Sequence, residues 1–306
     1  MMIPDFQTIM LPLLQILSDG NEYLLRDVIN KICDQFHLTE EEKIELLPSG
    51  NQPIIDNRVG WARTYLKKAQ LLENPRRGVL RINQAGRELL ESKPSRIDVK
   101  FLKTLPGFKE WHESSSSKDD GITPVIEKVE NETGKTPEEL LEYSFVSIKE
   151  QLASELLEKI KSCPFSFFEV LVIDLLIKMG YGGSKREAGQ VMGKSGDGGI
   201  DGLIKEDKLG LDTIYVQAKR WENTVPIHHV RDFAGSLLSK KAKKGIFITT
   251  SNYPASAKEF VSSIEPKVAL IDGKELTELM IEYNIGVASK KMYEVKRLDT
   301  DYFEEV

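Results

Sequence analysis

Three polar residues in the second half of the chain have types and spacing suited to phosphodiester hydrolysis: Asp201, Gln217 and Lys219. Alternate side chains share one face of a strand, so Gln217 and Lys219 are expected about 6–7 Å apart. Oxygen atoms of Asp201, the Gln217 amide and the Ala218 carbonyl are ligands that a hard cation such as Mg²⁺ prefers. Lys219 can then hold a water molecule and stabilise the transition state. An ordinary surface hairpin has the same spacing, and this alternative stays open.

Two short strands must bring these residues together. Residues 200–204 read as the first strand, and residues 213–219, which are rich in β-branched side chains, read as the second. The intervening segment is a turn. If the strands form a hairpin, Asp201 converges with Gln217 and Lys219. Further strands near residues 246 and 268, among helices, indicate an α/β sheet.

A glutamate on an apolar helix is expected to point inward. The segment FSFFEVLVIDLLIKMG carries only three charges, Glu169, Asp174 and Lys178. Asp174 and Lys178 can share a solvated face, whereas Glu169 lies about 140° to 180° around the helix from them. An inward carboxylate is costly unless it is paired or binds a metal. A metal ligand and a buried ion pair are therefore both open interpretations.

Nine of the 22 glycines fall between residues 180 and 202, which indicates sharp turns or close approach to a ligand. Two phosphate-binding motifs fail there. A P-loop would need glycine where Ala188 stands, and a dinucleotide-binding loop would need glycine where Asp201 stands. Asp197 can be a further metal ligand or a turn residue, and we favour the turn.

The formal net charge of −6 conceals two opposed segments. Residues 1–56 hold three basic and ten acidic residues, for a net charge of −7. Residues 57–87 hold eight basic residues and one acidic residue, for a net charge of +7. A locally basic segment is expected of a protein that meets a polyanion, although a solvated charged helix has the same composition. The net charge therefore does not exclude DNA.

The basic segment is expected to belong to a winged helix, a fold that also mediates protein contacts. Apolar residues recur at helical spacing over residues 25–36. Asn57 can cap a helix over residues 58–70, which would enter the major groove of DNA. The NPRRG turn before a strand at residues 79–82 would be the wing that contacts phosphate. The residues assigned to DNA contact are Arg58, Arg63, Lys67, Arg76, Arg77 and Arg81.

The length of 306 residues predicts two domains. A polar stretch from His112, with four consecutive serines, reads as a linker. Thr136, with Pro137 and Glu139 after it, marks the start of the next helix. The predicted parts are, in order, a mainly α winged-helix domain (1–94), a connecting segment with the linker (95–136) and an α/β catalytic domain (137–306).

Composition excludes several classes of protein. The chain is 40% apolar and 29% charged, which is typical of a soluble globular protein. Its apolar runs are shorter than the ~18 residues of a membrane span, and we recognise no signal peptide. The two cysteines, together with His228 and His229, make neither a disulfide framework nor a zinc site. We expect a cytoplasmic protein with no membrane partner.

The second half carries a resemblance to a known family. The motifs are Phe168-Glu169, Gly180-Tyr181, SGDGGIDG (195–202), QAKR (217–220), GIFITTS (245–251) and LIDG (270–273), in that order. Together they resemble the catalytic domain of the Mrr family of restriction endonucleases, over about residues 164–287. The basic N-terminal segment resembles the family's winged-helix domain.

The resemblance implies a restriction-endonuclease-like fold, in which helices flank a mixed central sheet, within the PD-(D/E)xK nuclease superfamily. It implies that Asp201 is the metal-binding aspartate and that Lys219 is the catalytic lysine. Gln217 would replace the second acidic residue, and Glu169 would be the helical glutamate that often completes such sites. The sequence departs from the superfamily pattern at Gly199-Ile200, where proline is implied, and at Gln217, whose neutral amide binds a hard cation more weakly.

The implied function is a metal-dependent DNA endonuclease of type IV, which restricts foreign DNA bearing methylated bases. Mg²⁺ is the expected cofactor, with Mn²⁺ as a substitute, and double-stranded DNA is the expected partner. A homodimer or larger assembly is expected, because one active site cuts one strand. Lys194 and Ser195 are assigned to DNA contact, and Trp61, Tyr65 or Trp221 would either stack on a flipped base or pack in the core. The alternatives are a non-catalytic DNA-binding or regulatory protein with a silent nuclease fold, and a repair or junction nuclease.

Overall fold

The computed structural model describes residues 3–109, 134–182, 190–191, 200–207 and 211–296. They belong to two compact units, Met1–Ile148 and Lys149–Val306, each with its own sheet and core. The domain limits proposed from the sequence, at residues 94 and 136, remain a proposal. Among the described residues, no helix is long and apolar enough to cross a bilayer.

The first unit has the element order of a winged helix. Its elements are α1 (Phe6–Ile16), β1 (Tyr23–Leu24), α2 (Leu25–Gln35), α3 (Glu40–Ile44), α4 (Ile54–Lys68), β2 (Leu72–Glu73), β3 (Val79–Ile82), α5 (Gln84–Glu91) and α6 (Val99–Leu102). The strands pair antiparallel in the order β1-β3-β2. The turn between β2 and β3 is the predicted wing, and the strand predicted at residues 79–82 is confirmed as β3.

The helix predicted over residues 58–70 is α4, which begins earlier, at Ile54. One face of the helix is apolar and packs inward, since Val59, Ala62 and Leu66 are buried. The capping role predicted for Asn57 is wrong, because Asn57 lies inside the helix. Its side chain is buried and its Oδ1 accepts a 2.6 Å hydrogen bond from Thr136 Oγ1, a partner distant in the sequence.

The first core also takes in residues after the wing. Ile97, Val99, Leu102 and Phe108 are buried with the residues of α1 and α4. The helix start predicted at Thr136 is confirmed, and it forms a capping box: the Thr136 N–H donates to Glu139 Oε2 at 3.0 Å, and the Glu139 N–H donates to Thr136 Oγ1 at 3.1 Å. This box starts a long helix, α7 (Pro137–Ser162), which begins in the first unit and ends in the second.

The second unit is a mixed sheet flanked by helices, as predicted. After α7 come α8 (Phe165–Lys178), β4 (Gln190–Val191), β5 (Gly202–Lys205), β6 (Thr213–Lys219), α9 (Ile227–Ser239), β7 (Lys244–Thr249), α10 (Ala255–Ser263), β8 (Lys267–Ile271) and α11 (Gly273–Glu282). The sheet order is β4-β5-β6-β7-β8. The pairs β4–β5 and β5–β6 are antiparallel, while β6–β7 and β7–β8 are parallel, with α9 and α10 as the crossovers.

Alternation along the central strands sends side chains into a core on each face of the sheet. Ile246 and Ile248 of β7 belong to the core that includes α8 and α11, whereas Phe247 packs with α9 on the other face. At Gly245 a Cβ atom would lie 2.7 Å from Leu237 Cδ1. Glycine at this position therefore lets α9 pack closely against β7.

Candidate active site

Backbone pairing places Asp201 beside the end of β6. The strand predicted over residues 200–204 begins at Gly202, so Asp201 lies immediately before it. The Asp201 N–H donates to Val216 O at 2.8 Å, and the Ala218 N–H donates to Asp201 Oδ2 at 2.8 Å. The predicted antiparallel pairing is confirmed, with Gly202 opposite Val216. The Asp201 carboxylate is therefore fixed against the backbone between Gln217 and Lys219.

Gln217 has a buried oxygen without a partner. Its side chain is 4% exposed, and no hydrogen bond to Oε1 is found in the described part of the chain. Leaving a buried acceptor unsatisfied costs about 1–3 kcal/mol, so such atoms call for a specific explanation. Arg220 Nε is likewise unsatisfied, although Nη1 of the same side chain donates to Lys161 O. An amide oxygen at this position fits the need of a hard cation for oxygen ligands.

Glu169 reaches the same region from α8. Its side chain is half-buried, and the structure shows no ion pair between it and a described residue. Burial raises the pKa of Glu169, the nearby Asp201 charge raises it further, and Lys219 opposes both. By contrast, Asp174 is exposed, as the helical spacing predicts. Glu169, Asp201 and Lys219 thus interact electrostatically in one site.

Burial also raises the pKa of Asp201, against the hydrogen bond from Ala218 and the charge of Lys219. Two carboxylates that are both easier to protonate than usual are typical of a site lacking enough positive charge. Among the described residues, no group of three histidine, cysteine or acidic side chains could hold a metal.

A cavity of about 580 Å³ opens beside Gln217 and Lys219. Its other wall is α9, which contributes His229, Arg231, Asp232, Gly235, Ser236 and Ser239. The His229 ring lies 4.5 Å from Trp221 and 4.2 Å from His228, centroid to centroid. Burial lowers the pKa of His229, and the charges of His228 and Lys219 act in the same direction. The sequence shows the pair of histidines, but only the packing of α9 on the sheet selects His229.

The residues assigned to DNA contact differ widely in their surroundings. Arg58 Nε lies 2.8 Å from Glu139 Oε1, and its Nη1 donates to Ile3 O and Pro4 O at 2.7 and 3.2 Å. The Arg58 side chain is 15% exposed and that of Glu139 is fully buried. The guanidinium of Arg58 is therefore occupied by an internal ion pair.

Two of the wing arginines, Arg76 and Arg81, lie near acidic side chains; Arg76 is exposed and Arg81 is half-buried. Arg76 Nε is 3.6 Å from Glu22 Oε2, and Arg81 Nη1 is 3.9 Å from Glu22 Oε1. Arg81 also donates to Glu73 Oε1, at 2.8 Å from Nε and 2.5 Å from Nη2. Arg77 is exposed as well. Part of the acidic N-terminal segment therefore screens the basic segment locally.

Arg63 and Lys67 lie one turn apart on α4. Lys67 is exposed and Arg63 is half-buried, and neither forms an ion pair with another described residue. Burial lowers the pKa of Arg63. Arg63 and Lys67 therefore both have charge to offer a partner. Lys194, Ser195 and Asp197 lie outside the described residues.

The aromatic residues considered for base stacking pack mostly within the protein. Tyr65 lies 5.4 Å from Phe6 and 6.0 Å from Phe108, centroid to centroid, and 6.1 Å from Trp61. Trp221 packs against His229 and is partly buried against the core that includes α9. Of the three rings, only Trp221 adjoins a residue that lines the cavity.

The fold defines the class: a restriction-endonuclease fold in a chain that also carries a winged helix. Residues 160–280 match the family model described as restriction endonuclease, and residues 6–92 match the Mrr N-terminal domain. The chain is 36% identical over 309 residues to the type IV methyl-directed restriction enzyme EcoKMrr of Escherichia coli (strain K12), covering 99% of this chain and 100% of that enzyme. The chain belongs to the Mrr family of restriction endonucleases.

Two solved structures show weaker similarity to the chain. One is the MspJI restriction endonuclease in complex with a 27-mer oligonucleotide, which is 20% identical, covers 46% of this chain and 33% of its own, and has a TM-score of 0.35. Another is the DNA modification-dependent restriction endonuclease AspBHI, which is 16% identical, covers 71% of this chain and 56% of its own, and has a TM-score of 0.36.

The raised pKa of Asp201 predicts a stability effect. A carboxyl whose pKa is higher in the folded than in the unfolded state destabilises the fold once it ionises. Asp201→Asn should therefore raise the unfolding temperature of the metal-free protein by a few degrees at neutral pH, and the gain should shrink as the pH falls toward 4. Thermal unfolding in EDTA across pH tests this, with the exposed Asp174→Asn as control. A loss of stability at neutral pH, or a gain independent of pH, would contradict it.

Proposed function

We propose that this chain is a metal-dependent DNA endonuclease that cleaves DNA bearing modified bases. DNA cleavage follows from membership of the Mrr family, and selectivity for methylated DNA is the activity named for the Escherichia coli relative. The observation that supports catalysis by this chain is the unsatisfied Gln217 oxygen beside the fixed Asp201 carboxylate.

The oxygen atoms of this site fit a hard divalent cation, for which we propose Mg²⁺, with Mn²⁺ as a substitute. Asp201, Gln217 and the Ala218 carbonyl would hold it, with Glu169 completing the set. When bound, the cation neutralises charge on the phosphate and lowers the pKa of a coordinated water. Its positive charge would also offset the burial and the nearby Asp201 charge, which together raise the pKa of Glu169.

Each residue of the site has a distinct task in this proposal. The Ala218 N–H holds the Asp201 carboxylate in one orientation, so the ligand is arranged before the substrate arrives. Lys219 lines the cavity and can donate to a phosphate oxygen as negative charge develops there. His229, on the facing wall, is a donor within the same cavity.

A silent nuclease fold is the weaker candidate. A protein without catalytic chemistry gains nothing from a buried amide oxygen without a partner or from two carboxylates whose burial makes them costly to ionise. Such costs are typical of functional sites. A repair or junction nuclease would use the same site, and only the choice of DNA substrate distinguishes it.

The cleavage assay compares methylated with unmethylated plasmid, in Mg²⁺ or EDTA. Wild type should cut only methylated plasmid and only with Mg²⁺. Lys219→Ala should lower the rate by at least about 100-fold, because this variant has no donor aimed at the developing charge. Lys178→Ala, an exposed lysine on α8, should cleave as wild type does.

Equal rates for wild type and Lys219→Ala would contradict the catalytic assignment. Equal cleavage of the methylated and unmethylated plasmids would support the nuclease assignment and contradict the proposed dependence on modification. DNA binding measured in EDTA should be similar for wild type and Lys219→Ala, so that the lower rate reflects chemistry rather than affinity.

We further propose that the winged helix locates the DNA through Arg63 and Lys67 on α4 and through Arg76, Arg77 and Arg81 at the wing. We leave out Arg58, because its guanidinium is bound to Glu139 and to two backbone carbonyls. Lys194 and Ser195 remain predicted contacts. Two active sites are needed to cut both strands, so the proposed assembly is a homodimer or larger.

Charge changes of opposite sign test this surface. Arg63→Ala with Lys67→Ala should weaken DNA binding and reduce the slope of log affinity against log salt by about 1 for each phosphate that the variant no longer neutralises. Glu22→Gln should strengthen binding, because Glu22 lies near both Arg76 and Arg81. Glu45→Gln makes the same change in net charge at an exposed site elsewhere and serves as control. The surface is wrong if the double variant binds like wild type, or if Glu22→Gln and Glu45→Gln have equal effects.

A further inference from the structure

Two buried threonines lie at the end of β7, in a segment to which the proposed function gives no role. β7 ends at Thr249, and Thr250 follows it. Thr249 is 0% exposed and Thr250 is 1% exposed. A buried hydroxyl is costly unless it has hydrogen-bond partners, so the partners of these two side chains indicate what the side chains do.

Both hydroxyls bind the backbone at the end of β6 and just beyond it. Thr249 Oγ1 donates to Lys219 O at 2.7 Å, and the Thr250 N–H donates to the same carbonyl at 3.3 Å. Thr250 Oγ1 donates to Trp221 O at 2.8 Å and accepts from the Trp221 N–H at 3.0 Å. We call Thr249 and Thr250 the threonine clamp. The clamp holds both ends of the segment 219–221.

The clamp acts where the strand pairing stops. Lys219 and Thr249 are the last paired residues of the parallel ladder between β6 and β7. Ladder hydrogen bonds fix a backbone only as far as the paired residues extend. The direction of the chain after Lys219 therefore depends on other contacts, and the hydroxyl groups of the clamp supply them.

The start of α11 supports the clamp from behind. The Gly273 N–H donates to Ser251 O at 2.7 Å. A Cβ atom on Gly273 would lie 2.6 Å from Thr250 O, so glycine at this position lets α11 approach the clamp closely. Two sequence motifs outside the proposed ligand set, residues 245–251 and 270–273, thus pack together next to the backbone of the proposed catalytic lysine.

We propose that Thr249 and Thr250 are positioning residues for DNA cleavage, which hold the backbone of Lys219 so that its ammonium group stays at the cavity. A lysine side chain is long and flexible, so its charge is placed accurately only if the backbone that carries it is fixed. Trp221, at the other end of the clamped segment, packs edge-on against His229, which lines the same cavity. The clamp therefore bears on both walls of the cavity.

Valine and serine substitutions separate the role of the hydroxyl from that of the methyl group. Thr249→Val keeps nearly the same shape and removes the donor, whereas Thr249→Ser keeps the donor and removes a buried methyl. This role rests on the proposed function, in which Lys219 is catalytic. Because a shift of about 1 Å in a catalytic group can cost about 100-fold, Thr249→Val should cleave methylated plasmid about 10- to 100-fold more slowly in single turnover. Thr249→Ser should stay within about threefold of wild type, since the hydroxyl still holds the carbonyl.

A buried threonine elsewhere in the same unit provides the matched control. Thr277 is 1% exposed, and its Oγ1 donates to Gly273 O at 3.2 Å and to Lys274 O at 2.9 Å, within α11. Thr277→Val should lower the unfolding temperature about as much as Thr249→Val and cleave as wild type does. DNA affinity in EDTA should be the same for all these variants. The proposal is overturned if Thr249→Val cleaves as wild type does, if serine at 249 is as slow as valine, or if Thr277→Val is equally slow.

Combined variants test whether the clamp acts through the lysine. Lys219→Ala removes the ammonium group and keeps the backbone carbonyl that Thr249 binds. In this background, Thr249→Val should lower the residual rate less than about twofold, because the side chain that it would misplace is already gone. A further loss of about tenfold would show that Thr249 acts independently of Lys219 and would overturn the proposal.

The positioning role and the proposed function can fail separately in these measurements. If Lys219→Ala alone cleaves as wild type does, the catalytic assignment of the lysine fails, and the positioning role fails with it. If Lys219→Ala is slow while Thr249→Val cleaves as wild type does, the catalytic assignment stands and only the positioning role is wrong.

Discussion

The active site depends on the pairing of β5 with β6. That pairing puts the Ala218 N–H 2.8 Å from Asp201 Oδ2, and it sets the carboxylate beside the side chains of Gln217 and Lys219. Asp201 precedes β5, whereas Gln217 and Lys219 belong to β6. Neither strand alone therefore carries all the proposed oxygen ligands together with the lysine. The parallel strands and the helices on both faces bury this pair of strands, so the geometry is fixed before any ligand binds.

The same arrangement has a cost in stability. Asp201 and Glu169 have raised pKa values because burial disfavours their ionised forms, and the Gln217 oxygen lacks a partner within the described residues. The proposed divalent cation would relieve all three at once, since it would supply charge to the carboxylates and coordination to the amide. One bound cation would therefore explain the raised pKa values, the amide oxygen without a partner and the proposed chemistry. Because the proposed ligand set includes a neutral glutamine, it should bind the metal more weakly than three carboxylates would.

Local patterns predicted most elements of the fold. The β-branched residues of Thr213–Lys219 predict the strand that is observed. The helical periodicity of α8 correctly predicts that Glu169 points away from the solvated side that carries Asp174. The surroundings of the remaining residues depend on contacts between parts of the chain that are distant in the sequence. Asn57 looks like a helix cap in sequence, but Thr136 binds its side chain in the interior. Arg58 looks like a DNA contact, but its guanidinium is bound to Glu139, which lies 81 residues further along the chain. His229 joins the cavity only because α9 packs on the sheet.

Anomalous scattering from Mn²⁺ in crystals of the protein with bound DNA tests the proposed metal site most directly. We expect a single strong peak at each active site, within about 2.0–2.4 Å of an Asp201 oxygen and of Gln217 Oε1. The peak should be absent from crystals of Asp201→Asn, while the fold stays unchanged. A peak in wild type that leaves Gln217 Oε1 uncoordinated, or a site bound equally well by Asp201→Asn, would contradict this assignment.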